Sequence, residues 1–109
     1  MAEQLLTKIT ETLDDKKAQH IDVIDVRDKC SFADHIVIAT GSSSRHVKSL
    51  ANEVSMLSKR SGLIPLGVEG MDAGEWVLID LGDTVVHVMQ ASIREFYQLE
   101  KLWAVDAEV

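Results

Sequence analysis

Cysteine and long apolar runs are almost absent from this chain, and each absence narrows the class of protein. Among 109 residues the only cysteine is Cys30. A single cysteine excludes an internal disulfide and fits a reducing compartment, so we expect a cytoplasmic protein. No stretch of about 18 apolar residues could span a membrane, and the first residues do not have the pattern of a signal peptide. The hydrophobic content of 46% is enough for a core, so we expect one domain over residues 1–109.

The chain also has few positively charged residues relative to acidic ones. The 11 lysines and arginines are outnumbered by 18 acidic residues, which gives a formal net charge of −7. Such a field repels a phosphate backbone, so we expect no direct, sequence-specific contact with nucleic acid. A basic protein is the better electrostatic match. An acidic balance is also ordinary among soluble proteins, so charge alone does not decide between classes of function.

Patterns that indicate a metal or catalytic site are sparse. The four histidines show no metal-ligand spacing with one another or with Cys30, and we interpret them as ordinary strand and helix residues: His20, His35, His46 and His87. Cys30 has no evident base close in sequence, so it is not expected to act as a nucleophile. We therefore expect no catalytic residues, no metal site and no cofactor.

The most enzyme-like segment is Gly41-Ser42-Ser43-Ser44, which lies between an apparent strand and an apparent helix. Backbone N–H groups at a helix start can hold a phosphate, but the segment lacks the lysine and the spacing of a P-loop. The serines are more simply interpreted as caps of the helix. A nucleotidyltransferase would also need paired carboxylates for divalent metals, and the following helix offers only Glu53. A metal-dependent nucleotide-binding or nucleotidyltransferase-type enzyme that uses the Gly41-Ser42 turn is the alternative to a binding protein.

The strongest structural signal runs from Glu75 to Gln90, which reads as two strands joined at Gly82-Asp83. A two-residue turn puts alternate residues on opposite faces. One predicted face is almost purely aliphatic: Val77, Ile79, Leu81, Thr84, Val86 and Val88. The other is mixed: Trp76, Leu78, Asp80, His87 and Met89. The mixed face is either a second buried layer under a helix or a docking surface, since tryptophan, methionine and tyrosine are favoured at interfaces.

The rest of the chain supplies helices and further strands. The apolar spacing predicts three helices, over 3–17, 44–61 and 92–103, the last with Ile93, Phe96 and Trp103 on one stripe. Three more strands are expected over 21–26, with Ile21, Val23 and Val26 inward, over 35–39 and over 66–68. Residues 104–109 form a short acidic tail. The order predicts an α/β protein with a single mixed sheet of about five strands flanked by helices.

Three segments taken together resemble the ribosomal silencing factor family, also called RsfS or Iojap. The first is DHIVIATGSSSRHV at 34–47, the second is PLGVEG at 65–70 followed by the hairpin at 76–90, and the third is YQLEKLW at 97–103. Jointly they cover about Asp25 to Trp103 and are specific, whereas the first helix is generic.

The resemblance implies a non-enzyme. Family members bind the large ribosomal subunit through a basic protein on its inter-subunit face, the fourteenth in the large-subunit naming, and so block joining of the small subunit. The resemblance also implies a nucleotidyltransferase-like fold without the active site, and a homodimer when the protein is free. It places five residues in the contact surface: Trp76, Asp80, Leu81, Met89 and Tyr97. Alternation puts Leu81 on the aliphatic face, from which only twist near the hairpin tip would expose it.

Overall fold

The computed structural model describes residues 2–28 and 33–98 of the chain. Its elements in chain order are α1 (Ala2–Asp15), β1 (Gln19–Asp25), β2 (His35–Gly41), α2 (Ser44–Arg60), β3 (Gly67–Glu69), β4 (Trp76–Asp80), β5 (Thr84–Gln90) and α3 (Ala91–Tyr97). This is the predicted order. The predicted acidic tail at 104–109, and Cys30, lie outside the described residues. No described helix combines the length and apolar character needed to cross a membrane.

The five strands form one mixed sheet in the order β1-β2-β5-β4-β3. Strands β2 and β5 are parallel, and every other neighbouring pair is antiparallel. The predicted hairpin register is confirmed, because Val77 pairs with Val88 and Trp76 pairs with Met89. The Leu81 N–H donates to the Thr84 carbonyl at 2.9 Å, which closes the two-residue turn. The α/β architecture with a single five-stranded sheet is therefore as the sequence predicts.

One face of the sheet carries the main core. Helices α1 and α2 pack on this face, and their apolar stripes meet the aliphatic side chains of β2, β4 and β5. Ile9, Leu50 and Val86 are among its fully buried members. Burying one such side chain stabilises the fold by about 1.5–3 kcal/mol, so this layer provides most of the apolar stabilisation.

The opposite face has a thinner cover. Its buried cluster centres on Ile38, Val85 and Met89, and the half-buried Trp76 and Ile93 pack against it. The only helix on this side within the described residues is α3, which has seven residues. On this side the β4 residues Trp76, Leu78 and Asp80 are only half-buried.

Two details of the predicted packing are wrong. Val23 was expected inward, but it is 44% exposed, because β1 is an edge strand and its pairing with β2 is irregular between Gln19 and Asp22. Phe96 was expected on the buried stripe of the last helix, yet it is 79% exposed. That helix ends at Tyr97 because Gln98 adopts a left-handed conformation (φ 47°), and 99–103 lie outside the described residues.

Candidate protein-binding surface

Strand β4 presents a half-buried row on the thinly covered face of the sheet. In β4 the first, third and fifth residues are half-buried: Trp76, Leu78 and Asp80. Val77 and Ile79 between them are fully buried. This is the two-residue period of a strand with one face on the core and one face partly in water. The row therefore consists of an aromatic, an aliphatic and an acidic side chain in line.

The indole of Trp76 is held from two sides. Its Nε1–H donates to Nδ1 of His87 at 2.9 Å, with the two ring centroids 5.9 Å apart. On the other side the phenol ring of Tyr97 lies 5.0 Å from the indole, tilted by 51°. Phe96 then meets Tyr97 edge-on at 5.0 Å. Tilted and edge-on rings at these distances attract one another beyond simple area burial.

His87 is buried, and the chemistry of its ring follows from that. Only 7% of the residue is exposed, and burial lowers the pKa of its imidazole to about 4. At neutral pH the ring is uncharged, so Nδ1 can accept a hydrogen bond from the indole N–H, and the proton of the imidazole itself resides on Nε2. From the sequence alone, His87 is predicted to be an ordinary strand residue. The sequence feature that could have indicated the hydrogen bond is the position of His87 opposite Leu78, on the same face as Trp76. A histidine diagonally across the strand pair from a tryptophan can reach the indole N–H.

The loop before β4 determines where the strand begins, at Trp76. Gly70 has φ +90°, and a Cβ atom there would lie 2.0 Å from the carbonyl oxygen of Trp76. Only glycine permits this approach. The Gln90 amide donates to the Gly74 carbonyl at 3.0 Å, and its backbone N–H donates to the Glu75 carbonyl at 2.9 Å. The loop is thus tied to the end of β5.

The five residues assigned by family resemblance fall into two groups. Trp76, Asp80 and Tyr97 reach the surface, with Tyr97 54% exposed. The Asp80 carboxylate also accepts from the Gly82 N–H at 2.9 Å, which shapes the hairpin turn. Leu81 is only 3% exposed within the main core, as alternation predicts, and Met89 is fully buried. Met89 lies in the buried cluster beneath Trp76, whereas Leu81 lies in the core on the other side of the sheet, so neither side chain is exposed on this surface.

The Gly41-Ser42 turn is used internally. The Ser42 N–H donates to Nδ1 of His46 at 2.9 Å, and His46 Nε2 bonds with the Lys16 carbonyl at 2.9 Å. Ser43 caps α2 through its side chain, as predicted, accepting from the His46 N–H at 3.1 Å. The N–H groups of Ser42 and His46 at this turn are therefore already hydrogen-bonded within the chain. Across residues 2–28 and 33–98 no group of three or more His, Cys, Asp or Glu residues could hold a metal ion.

Comparison with known proteins places these features in a family. The family model described as ribosomal silencing factor during starvation matches residues 1–109. A ribosomal silencing factor of Haemophilus influenzae is 44% identical over 100 residues, covering 92% of this chain and 98% of that protein. A mouse protein named mitochondrial assembly of ribosomal large subunit protein 1 is 36% identical over 92 residues, covering 81% of this chain and 40% of its own length.

Solved structures agree with the sequence comparison. A crystal structure of a Chromobacterium violaceum protein superposes with a TM-score of 0.91 at 40% identity, covering 94% of this chain and 85% of that chain. A second crystal structure, from Bacillus halodurans, gives a TM-score of 0.84 at 36% identity, covering 93% of this chain and 94% of that chain. The chain belongs to the ribosomal silencing factor family.

Proposed function

We propose that this chain is a translational repressor that binds the large ribosomal subunit and sterically blocks joining of the small subunit. The observation that carries the proposal is the aromatic surface, defined as Trp76, Tyr97 and Phe96, on a chain that belongs to this family. Large aromatic side chains are the commonest energetic anchors of protein interfaces. The same proposal implies action in the cytoplasm, where the subunits meet.

Charge supports a basic protein of the inter-subunit face as the direct partner. Glu69 is the cross-strand neighbour of Leu78, so its carboxylate shares a face with the β4 row, and Asp80 ends that row. Strands β3 and β4 contain no lysine or arginine. Acidic side chains on the same face as the aromatic group attract a basic protein and speed its docking. It disfavours direct binding to ribosomal RNA.

Sedimentation with purified ribosomal subunits tests the proposal. The unmodified chain should travel with the large subunit and not with the small subunit. Trp76→Ala should weaken binding by about 2–4 kcal/mol, the loss expected for a central aromatic anchor. Met56→Ala is the control, because Met56 is also apolar and 42% exposed but lies on α2, on the other side of the sheet. Absence of the chain from the large-subunit fraction would refute the proposal.

We propose that the free chain forms a homodimer through the same aromatic surface, so that self-association competes with binding to the ribosome. An exposed aromatic group is costly to leave in water, and a second copy offers a similar group. Sedimentation velocity should show a dimer that Trp76→Ala weakens. A covalently cross-linked dimer with unchanged affinity for the large subunit would show that the two contacts use different surfaces.

A further inference from the structure

Trp76 has a single polar atom, and that atom does not face outward. Its Nε1–H is directed at Nδ1 of His87, at 2.9 Å, and His87 is 7% exposed. The hydrogen bond joins the first residue of β4 to a residue of β5 two cross-strand positions away, since Trp76 pairs with Met89 and Leu78 pairs with His87. The indole is therefore tied to the sheet and not to a mobile loop.

The same hydrogen bond decides which rotation of the indole is favoured. A tryptophan side chain in a half-buried setting has several rotamers, and only those that bring Nε1 to His87 satisfy the donor. In that orientation the indole lies 5.0 Å from Tyr97. Loss of the acceptor would leave a partly buried N–H without a partner. The rotamer that packs the indole against Tyr97 would then no longer be favoured by a hydrogen bond.

We propose that His87 is a positioning residue for the binding surface: it fixes the Trp76 indole against Tyr97 and, by occupying the indole N–H, presents the partner with an apolar π-rich indole face whose own N–H donor is already used. This inference rests on the proposed function and adds a requirement on the partner. We expect the group that covers Trp76 to be an aliphatic stem or a cation stacked on the ring, since the indole offers a carbonyl or carboxylate no free N–H donor.

Asparagine and leucine at position 87 form a matched pair for the test. The two side chains have the same size and branching, but only asparagine offers an acceptor oxygen near the place of Nδ1. The indole N–H signals of ¹⁵N-labelled protein report the bond directly. The chain has two tryptophans, so Trp103→Phe assigns the Trp76 signal. Thermal melts confirm that each variant is folded.

His87→Leu should shift the Trp76 indole signal, accelerate its exchange with solvent and weaken the nuclear Overhauser contacts between Trp76 and Tyr97. Its affinity for the large subunit should fall about three- to tenfold, which corresponds to the cost of immobilising one side chain on binding. His87→Asn should retain the slow exchange and most of the affinity. In a Trp76→Phe background, which has no N–H to orient, His87→Leu should cause no further loss.

Three results would overturn the inference. An indole signal in His87→Leu with unchanged shift, exchange and contacts to Tyr97 would show that His87 does not fix the ring. Equal affinity of His87→Leu and the unmodified chain would show that fixing the ring does not matter for binding. An equal loss in the Trp76→Phe background would show that His87 acts independently of the indole. Failure of the unmodified chain to bind, by contrast, would refute the proposed function itself, while the indole signals would still show whether His87 orients Trp76.

Discussion

Acidification should destabilise this protein through His87 in particular. In the unfolded chain the imidazole has the ordinary pKa of 6.5, whereas burial lowers the pKa in the folded state to about 4. Between these two values the unfolded state binds the proton and the folded state does not, so stability falls as pH falls. The contribution is complete above pH 6.5 and is lost progressively down to about pH 4. At 1.36 kcal/mol per pH unit, the displacement corresponds to about 3 kcal/mol.

A loss of about 3 kcal/mol is a large part of the 5–15 kcal/mol that stabilises a typical domain. The free energy of unfolding can be measured by urea titration at intervals from pH 7 to pH 4. His87→Asn and His87→Leu both remove the titrating group, so both should show a shallower loss than the unmodified chain. The carboxylates that titrate near pH 4 are common to all three proteins and cancel in the comparison. Parallel stability curves for all three would refute the burial argument.

Three further substitutions test the roles assigned to residues that stabilise the fold around and behind the aromatic surface. Gly70→Ala should lower the free energy of unfolding by more than about 2 kcal/mol, because its Cβ would overlap the Trp76 carbonyl at a positive φ, and urea titration would show it. Leu81→Ala should cost about 2–5 kcal/mol in the same assay, as expected for a core side chain, without altering the aromatic surface once folded. Arg94→Met should cost about 2 kcal/mol and loosen α3, because the buried guanidinium pairs with Asp22 at 2.5 Å and donates to Thr40 Oγ1 at 2.9 Å; faster amide exchange in α3 would report it. Unchanged stability in any one of these variants would contradict the role assigned to that residue.

The hairpin could be predicted in detail because its information is local. Alternation with a period of two fixes which residues share a face, and Gly82-Asp83 fixes the register, so Trp76 and His87 could be placed on one face from the sequence. Alternation also predicted that Leu81 would be buried. The family resemblance implied that Leu81 and Met89 are contact residues, whereas both side chains are buried in the structure.

The assembly of the aromatic surface could not be predicted because it depends on distant segments. Tyr97 lies beside Trp76 because α3 follows β5 without a loop and ends at Tyr97, after which Gln98 adopts a left-handed conformation. Periodicity extended that helix to 103 and so gave Phe96 a buried role that it does not have. The hydrogen bond between Trp76 and His87 likewise depends on the rotamers of both side chains. Knowing that the two residues share a face of the sheet does not specify those rotamers.

The same limit applies to β1 and to the Gly41-Ser42 turn. An irregularity in the pairing of β1 with β2 is not visible in the alternation of Ile21, Val23 and Val26. Helix capping by Ser43 was predictable from residue type. That His46 would occupy the Ser42 N–H and reach the Lys16 carbonyl required the packing of α1 beside α2.

Joining of the two ribosomal subunits, followed by light scattering, tests the central claim most directly. Large subunits are preincubated with increasing amounts of the chain, and small subunits are then added. We expect joining to decrease in proportion to occupancy of the large subunit. The Trp76→Ala variant should need a concentration at least about 30-fold higher for the same effect. Unimpaired joining at a concentration that saturates the large subunit in sedimentation would contradict the account.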